Sequence, residues 1–175
     1  MKYLVVSDIH GAADSMEFIL KVFEEKKCDK ILLLGDVLYH GPRNDLPNFY
    51  LPKKVIELIN PYQDKIICVK GNCEAEVDQM VLKFNILDSY DAFINDIKTH
   101  LEHGHHLDLY EGDARLILCG HTHIPRNEDY LKYHIINPGS ITIPKNGSKR
   151  SYIIWDNHKL SFYDMDGNEY DSYTY

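Results

Sequence analysis

Apolar and polar positions alternate in blocks along the first half of the chain. Three short apolar runs, at residues 3–6, 31–34 and 66–69, predict buried strands because each is β-prone and is followed at once by polar residues. Between them, apolar side chains recur at helical spacing in residues 14–27 and 52–60, which predicts two amphipathic helices. This alternation of strands and helices indicates parallel β-α-β units.

The second half of the chain instead contains short strands separated by turn residues. Asn95-Asp96 lies between two β-prone runs and predicts a hairpin, and residues 116–119 predict another buried strand. The whole pattern predicts an α/β fold, a four-layer α-β-β-α sandwich of two mixed sheets with flanking helices, in one domain spanning residues 1–175. Further short strands, interpreted as an antiparallel meander, are predicted at residues 135–136, 141–143, 152–155 and 160–163.

Length and charge limit the classes of function. The 175 residues suit one domain, and the net charge of −8 (19 basic minus 27 acidic residues) makes a nucleic acid polymer an unfavourable partner. No apolar run approaches the ~18 residues of a membrane span, and the N-terminal run is too short for a signal peptide. We therefore expect a cytoplasmic protein with no membrane partner, whose four cysteines are reduced thiols.

Residue types that bind metals follow four of the apolar runs, and a fifth segment carries two histidines. Ligand sites form at the carboxyl ends of strands in open α/β sheets, and a glycine next to a ligand lets the backbone approach closely. We therefore expect these side chains to meet in one crevice. The residues are Asp8 and His10, Asp36, Asn72, His103 and His105, and His121 and His123.

Each of these motifs is common by chance when taken alone. Their conjunction is informative because buried charged and imidazole groups are costly unless they are paired or bind a metal. Carboxylates, imidazoles and one amide oxygen suit Mn²⁺, Fe²⁺, Zn²⁺ or Mg²⁺. If only one of His103 and His105 is counted, the set has seven ligands, which exceeds what one ion with open positions takes. The set therefore predicts two ions about 3.5–4 Å apart that share one carboxylate.

The five motifs, in this order, resemble those of the calcineurin-like metallophosphoesterase superfamily, and the match extends from residue 1 to about residue 163. Residues 35–44 and 71–80 are similar to the small bacterial YfcE-type phosphodiesterases within it. The set of five is specific, whereas any one motif is weak. The motifs are Asp8-x-His10, Gly35-Asp36, Gly71-Asn72-Cys73-Glu74, His103-Gly104-His105 and Gly120-His121-x-His123.

The resemblance implies a role for each ligand position. A hydroxide activated by the two ions would attack phosphorus in a small phosphodiester, with Asp36, Asn72 and Cys73 as the catalytic set. Mn²⁺ is the favoured cofactor, with Zn²⁺, Fe²⁺, Ni²⁺ or Mg²⁺ as alternatives. The implied ligands are Asp8, His10 and His123 for one ion and Asn72, His103 and His121 for the other, with Asp36 between them.

Cys73 departs from the pattern of most of the superfamily, in which a histidine at this place acts as general acid. The YfcE-type branch also has cysteine here. A thiol is a weak hydrogen-bond donor with an ordinary pKa of ≈ 8.5, so we expect a preference for phosphodiesters or activated esters. A small side chain that only packs beside the metals explains Cys73 equally well.

Candidate substrate contacts surround the implied metal ligands. His40, Arg43 and Asn44 lie in the loop after Asp36, and the planar fork of Arg43 suits phosphate oxygens, although the side chain could equally brace the loop. His105 is expected to line the pocket and is the alternative ligand to His103. The connection from His103 to His121 is short for the branch, so we expect its helix to be reduced to a turn around residues 107–112.

Two other functions remain open on the same fold. One is a non-enzymatic protein-binding scaffold, as in the retromer subunit that resembles these enzymes, and the other is a phosphomonoesterase. The complete ligand set favours an enzyme over a scaffold, and the missing acid histidine disfavours a monoesterase. The aromatic-rich second half is compatible with a homodimer or homotetramer. The natural substrate is not predicted by any motif.

Overall fold

Twelve strands and three α-helices make up the regular structure of the chain, which the computed structural model describes from residue 1 to residue 175. The helices are α1 (Ala13–Glu25), α2 (Pro52–Ile59) and α3 (Glu76–Val81), and 3₁₀ helices cover Asn60–Lys65 and Leu107–Leu109. The strands are β1 (Lys2–Val6), β2 (Lys30–Leu33), β3 (Ile66–Val69), β4 (Ile86–Leu87), β5 (Tyr90–Ile94), β6 (Ile97–Leu101), β7 (Leu116–Leu118), β8 (Pro125–Tyr130), β9 (Tyr133–Pro138), β10 (Ser151–Asp156), β11 (Lys159–Asp164) and β12 (Glu169–Thr174).

The strands form two mixed sheets, as predicted. The first has the order β12-β11-β10-β1-β2-β3-β4, in which β1 to β4 run parallel and β10 to β12 are antiparallel. The second has the order β5-β6-β7-β9-β8, with β6, β7 and β9 parallel and an antiparallel strand at each edge. The carboxyl ends of the parallel strands of each sheet therefore share one edge of that sheet.

The first sheet is buried on both faces, which explains why its central strands are continuous apolar runs. In β1, Leu4 and Val6 face a core shared with α1 and α2, whereas Tyr3 and Val5 face the second sheet. The period-2 alternation of a strand divides its side chains between these two cores. Trp155 and other large side chains of β10 and β11 fill the space between the sheets.

The outer face of the second sheet carries little helical structure. Ile117 and Ile135 are covered there by Leu107 and Tyr110, which belong to the 3₁₀ helix Leu107–Leu109 and the residue after it. The expected reduction of this connection to a turn is thus confirmed. None of the helices combines the length and apolarity needed to cross a bilayer, and the longest, α1, has 13 residues.

Residues 141–143 do not form the predicted strand. The backbone bends there because the Ser140 hydroxyl accepts hydrogen bonds from the backbone N–H groups of Thr142 and Ile143, at 3.1 and 2.9 Å. A local side-chain partner of this kind competes with strand pairing. Ile141 is apolar because it is buried in the core beneath α1 and not because it belongs to a sheet.

The predicted meander is also wrong in its connectivity. Strand β9 lies in the second sheet beside β7 and β8, whereas β10 pairs with β1 in the first sheet. The chain crosses between the sheets in residues 139–150. Buried apolar runs in both sheets look alike in sequence, so the change of sheet has no local signal.

Three edge strands, β4, β8 and β12, and the short helix α3 were not predicted, and β4 has only two residues. The side chains of β12 are almost all exposed, and β8 is at most half-buried. Without a buried face, neither strand shows the alternation of apolar and polar residues on which strand prediction depends.

We expect Phe162→Ala to lower the free energy of unfolding by ~3–5 kcal/mol, because this side chain is fully buried between the sheets. Urea unfolding, followed by the fluorescence of the single tryptophan Trp155, measures the change. Phe93→Ala is the matched control: Phe93 is 75% exposed on β5, so the effect should stay within ~0.5 kcal/mol. Equal losses in the two variants would contradict the assigned core.

Candidate metal centre

The side chains predicted to bind metals converge at the carboxyl ends of five strands. Three of these strands, β1, β2 and β3, belong to the first sheet, and two, β6 and β7, belong to the second. All the implied ligands therefore come from residues just beyond a strand end. They are Asp8 and His10 after β1, Asp36 after β2, Asn72 after β3, His103 after β6, and His121 and His123 after β7.

The backbone at these strand ends is unusual. Five of the seven residues have φ between 50° and 67°, in the left-handed region that non-glycine residues rarely adopt. Conformations of this kind persist where the surrounding structure enforces them, and they cluster at functional sites. The five are Asp8, His10, Asp36, His121 and His123.

Glycines allow the strand ends to pack closely, as expected from the sequence. A Cβ atom at Gly71 would collide with the carboxylate of Asp36, and one at Gly120 would collide with Ser7. Each glycine directly precedes an implied ligand. Any larger residue at these two positions would push the ligands of neighbouring strands apart.

Three histidines are held by backbone carbonyl groups through the same ring nitrogen. When Nδ1–H donates to a carbonyl oxygen, the neutral imidazole presents Nε2 as an acceptor. All three Nε2 lone pairs then point toward the centre of the site. The Nδ1 bonds run from His10 to Tyr39 (2.8 Å), from His103 to Leu34 (2.6 Å) and from His123 to Ile143 (2.8 Å).

The acceptor atoms face one another at short distances in the first of two ligand groups. Nε2 of His10 lies 3.2 Å from Nε2 of His123, and the latter lies 3.2 Å from Asp8 Oδ1. Asp8 Oδ1 is buried and accepts no hydrogen bond. Lone pairs that face each other in a buried place repel unless a cation lies among them, so this donor set fits a divalent metal ion.

The second group consists of Asn72, His103 and His121. The amide oxygen of Asn72 lies 2.7 Å from His121 Nδ1 and 3.2 Å from His103 Nε2. Asp36 lies between the two groups: its Oδ2 is 3.3 Å from His103 Nε2 and 3.7 Å from His10 Nε2. This position suits a carboxylate shared by two ions.

Both carboxylates of the centre are ionised. Burial alone raises the pKa of Asp8, but the imidazoles of His10 and His123 outweigh it when they are protonated in place of a bound cation, and they hold this pKa well below its usual range. Burial likewise raises the pKa of Asp36, and His103 lowers it below the ordinary value when this ring is protonated in place of a bound cation. Two buried anions side by side require compensating positive charge.

His103 and His105, which the sequence left as alternative ligands, lie in different positions relative to the other implied ligands. Nε2 of His103 contacts both Asp36 and Asn72. The ring of His105 instead lies behind the second group, with its centroid 5.5 Å from that of His103 and 5.9 Å from that of His121. His105 is thus placed beside the ligand group rather than within it.

Of the three predicted substrate contacts in the loop after Asp36, two line the cleft and one does not. Arg43 and Asn44 line the cleft next to Asn72 and Cys73. The ring of His40 packs between Tyr39 and Tyr50, with centroid distances of 4.7 and 5.2 Å. A role for His40 in substrate binding stays a prediction.

Cys73 lines the cleft with its thiol beside Asn72, whose amide nitrogen lies 3.3 Å from Sγ. Burial and the charge of Asp36 raise the pKa of Cys73 to about 12. The side chain is therefore a neutral thiol at physiological pH. Its backbone N–H donates to Asp36 Oδ1 at 2.9 Å, which orients the shared carboxylate.

Glu74 holds two strand ends together, a role that the sequence analysis missed. Its carboxylate accepts backbone N–H bonds from Asp36 (2.9 Å), Val37 (2.6 Å) and Gly71 (2.5 Å). This side chain thereby joins the end of β2 to the end of β3. The position of Glu74 within the Gly71–Glu74 motif was the available signal, but its partners are distant in sequence.

Lys145 and Ser140 were also missed. Lys145 lines the cleft with Arg43 and Asp36. The hydroxyl of Ser140 donates to the backbone carbonyl of Asp8 at 2.8 Å, so it supports the left-handed turn that presents this ligand. Both residues lie on the crossing between the two sheets, which had been predicted to contain a strand.

Comparison with known proteins agrees with this geometry. A family model described as the calcineurin-like phosphoesterase superfamily domain matches residues 1–159. The chain is 40% identical to phosphodiesterase YfcE of Escherichia coli K12 over 168 residues, which cover 92% of this chain and 90% of that protein.

Solved structures extend the similarity to the fold. YfcE, described as a phosphoesterase from E. coli, matches with a TM-score of 0.95 and 37% identity, over 99% of both chains. Vacuolar protein sorting 29 from Cryptosporidium parvum matches with a TM-score of 0.67 over 99% of this chain and 98% of that one. At 16% identity the second similarity shows the fold alone.

We expect divalent ions to stabilise the folded protein, because ions that bind only the folded state shift the unfolding equilibrium. At a concentration 100 times Kd the gain is ~2.7 kcal/mol, or a rise of about 5–10 °C in Tm for a chain of this length. Thermal unfolding of chelator-treated protein with and without Mn²⁺ or Zn²⁺ measures it.

Asp36→Asn should remove most of this rise, whereas Asp64→Asn should keep it. Asp64 is exposed in the 3₁₀ helix before β3, at the opposite end of that strand. A Tm that no divalent ion raises in the unmodified protein would contradict a metal centre, and an equal rise in Asp36→Asn would contradict the position given to that carboxylate.

Proposed function

The chain belongs to the calcineurin-like phosphoesterase superfamily, and we propose that it hydrolyses a small phosphodiester with two divalent metal ions. The observation that carries the proposal is the position of Asp36 between two groups of acceptor atoms that meet from both sheets. One buried carboxylate serving both groups is the arrangement that a pair of ions requires.

In this proposal each ligand group holds one ion. When bound, the two ions polarise the phosphoryl oxygens and lower the pKa of a water nucleophile. The backbone carbonyls of Tyr39, Leu34 and Ile143 keep Nε2 of their histidines aimed inward. The proposed ligands are Asp8, His10 and His123 for one ion, Asn72, His103 and His121 for the other, and Asp36 for both.

The protein itself supplies little acid catalysis at the leaving group. Cys73 lines the cleft as a neutral thiol whose pKa of about 12 makes it a poor proton donor. A leaving group that departs well without a proton is then preferred, which favours phosphodiesters and activated esters. Packing beside the ligands remains the other explanation for Cys73.

Two alternatives are weaker. A protein-binding scaffold is compatible with the fold that the chain shares with vacuolar protein sorting 29, but a scaffold has no need of buried, ionised Asp8 and Asp36 facing three histidines. A phosphomonoesterase would need the acid group that Cys73 lacks. The curated relative YfcE is named a phosphodiesterase, which also supports the diester.

Three further predictions concern the identity of the metal, the cellular location and the oligomeric state. Mn²⁺ suits a donor set of carboxylate, imidazole and amide oxygen, although Zn²⁺, Fe²⁺, Ni²⁺ and Mg²⁺ also fit. A cytoplasmic location agrees with four cysteines that are all free. A homodimer or homotetramer agrees with exposed apolar side chains such as Phe93 and Leu131. These three statements stay predictions.

We expect Mn²⁺-dependent hydrolysis of bis(p-nitrophenyl) phosphate, with weaker activity on p-nitrophenyl phosphate. Asp36→Ala should reduce kcat/KM on the diester by at least ~10³, because both ligand groups lose their shared anion. Release of p-nitrophenolate measures both rates. Asp64→Asn should retain full activity, and failure of every tested divalent ion to stimulate the unmodified enzyme would refute the proposal.

We expect Cys73→His to gain activity on p-nitrophenyl phosphate by at least ~10-fold, because a positioned acid contributes 10²–10⁴ when the leaving group needs a proton. The gain should be smaller on bis(p-nitrophenyl) phosphate. Cys73→Ser is the control, since it keeps a small side chain without a basic nitrogen. A similar gain in Cys73→Ser would show that packing, and not proton donation, governs this position.

A further inference from the structure

A second cavity adjoins the cleft of the proposed metal centre. It is an open groove of about 590 Å³ between the loop after Asp36 and the crossing loop between the sheets. Arg43, Asn44 and Lys145 line both the cleft and the groove, so these residues form the passage between them. A substrate with its phosphorus in the cleft would extend past them.

The crossing loop that carries Lys145 is tied to a proposed metal ligand. The backbone N–H of Lys145 donates to the carbonyl of His123 at 3.3 Å, and Nδ1 of His123 donates to the carbonyl of Ile143 at 2.8 Å. Ser148 closes the loop by donating to the carbonyl of Lys145. The ammonium group of Lys145 is thus carried on a braced loop.

The loop that carries Arg43 is tied to the other side of the same ligand group. Nδ1 of His10 donates to the carbonyl of Tyr39 at 2.8 Å, and the amide of Asn44 donates to the carbonyl of His40 at 2.7 Å. Two loops, each bonded to a different histidine of the first ligand group, therefore bring one cation apiece to the passage.

Neither cation has a partner in the protein. The guanidinium of Arg43 and the ammonium of Lys145 make no ion pair and no hydrogen bond, although acidic residues outnumber basic ones by 27 to 19. Arg150 in the same groove is different, because it pairs with Asp14 at 3.2 Å and donates to Ser15. The two cations of the passage are therefore available to an anion that is not part of the protein.

The rest of the groove suits an organic group. Phe49 and Leu46 are 67% and 63% exposed on its wall, and the amide of Asn48 lies beside them. Within the groove, Asp14 is paired with Arg150, so Asp45 is the one remaining carboxylate that opposes Arg43 and Lys145. The passage is thus cationic, and the wall beyond it is partly apolar.

We propose that the groove binds the organic substituent of the substrate and that Lys145 and Arg43 bind a second anionic group on it. The preferred substrates are then phosphodiesters that carry a further phosphate near the scissile one. This inference rests on the proposed phosphodiesterase activity of the cleft. It assigns Lys145 to substrate selection and not to the chemical step.

The test uses two chromogenic diesters that differ by one phosphate: the p-nitrophenyl ester of thymidine 5′-phosphate with and without a 3′-phosphate. With Mn²⁺, the enzyme should show about tenfold higher kcat/KM for the 3′-phosphorylated ester, because one charge-assisted hydrogen bond changes affinity by about this factor. Lys145→Gln should lose this preference while kcat/KM on the other ester falls less than about threefold.

Lys65→Gln is the control of matched charge, because Lys65 is exposed and unpaired at the start of β3, far from the carboxyl ends of the strands. It should keep the preference. Equal kcat/KM for the two esters in the unmodified enzyme, or equal losses on both in Lys145→Gln, would overturn the inference but leave the phosphodiesterase proposal standing. No hydrolysis of either ester would instead overturn the activity on which it rests.

Binding provides a readout that does not depend on turnover. Calorimetric titration should show thymidine 3′,5′-bisphosphate binding about tenfold more weakly to Lys145→Gln than to the unmodified protein. The affinity for thymidine 5′-phosphate should not change between the two. A loss of equal size for both nucleotides would assign Lys145 to the first phosphate and would refute a second anionic subsite.

Discussion

Two ionised carboxylates, Asp8 and Asp36, are buried next to each other at the ends of neighbouring parallel strands, with 0% and 2% of their surface exposed. Burying one unpaired charge is costly, and burying two of the same sign is worse because they also repel. The imidazole nitrogens and the amide oxygen that surround them are acceptors as well, so the two proposed cations, and not these groups, would supply the compensating charge. Most features of the cleft can be traced to this requirement.

The backbone conformation positions several of the proposed metal ligands. Left-handed turns at Asp8, Asp36 and His123 present these side chains immediately after a strand end, where a regular strand would direct them alternately to the two faces of the sheet. Hydrogen bonds from Ser140 and to Glu74 hold these turns from outside the ligand groups. The proposed ligands are thus placed next to strand ends and are held there by hydrogen bonds, as a preorganised centre requires.

Hydrogen bonds from two of the proposed ligand histidines also connect the proposed metal centre to the groove beside it. The backbone carbonyls of Tyr39 and Ile143 accept hydrogen bonds from Nδ1 of His10 and His123. These two carbonyls lie on the loops that carry Arg43 and Lys145. The orientation of each histidine is therefore coupled to the loop beside it. A chain that is strongly acidic overall can in this way keep a local cationic passage for an anionic substrate.

The sequence by itself determined the central strands, the helices α1 and α2, and the segments that carry the ligands, because buried strands and helices leave periodic patterns and metal-binding residue types stand out where such patterns stop. It could not determine which sheet each strand joins, the edge strands, or the different positions of His103 and His105 beside the other proposed ligands. Those features, and the positions of Glu74 and Lys145, depend on contacts between residues far apart in the chain. Only the tertiary structure decided them. Glu74 bonds to Val37, 37 residues away, and Lys145 bonds to His123, 22 residues away, and contacts at such separations leave no trace in the local sequence pattern.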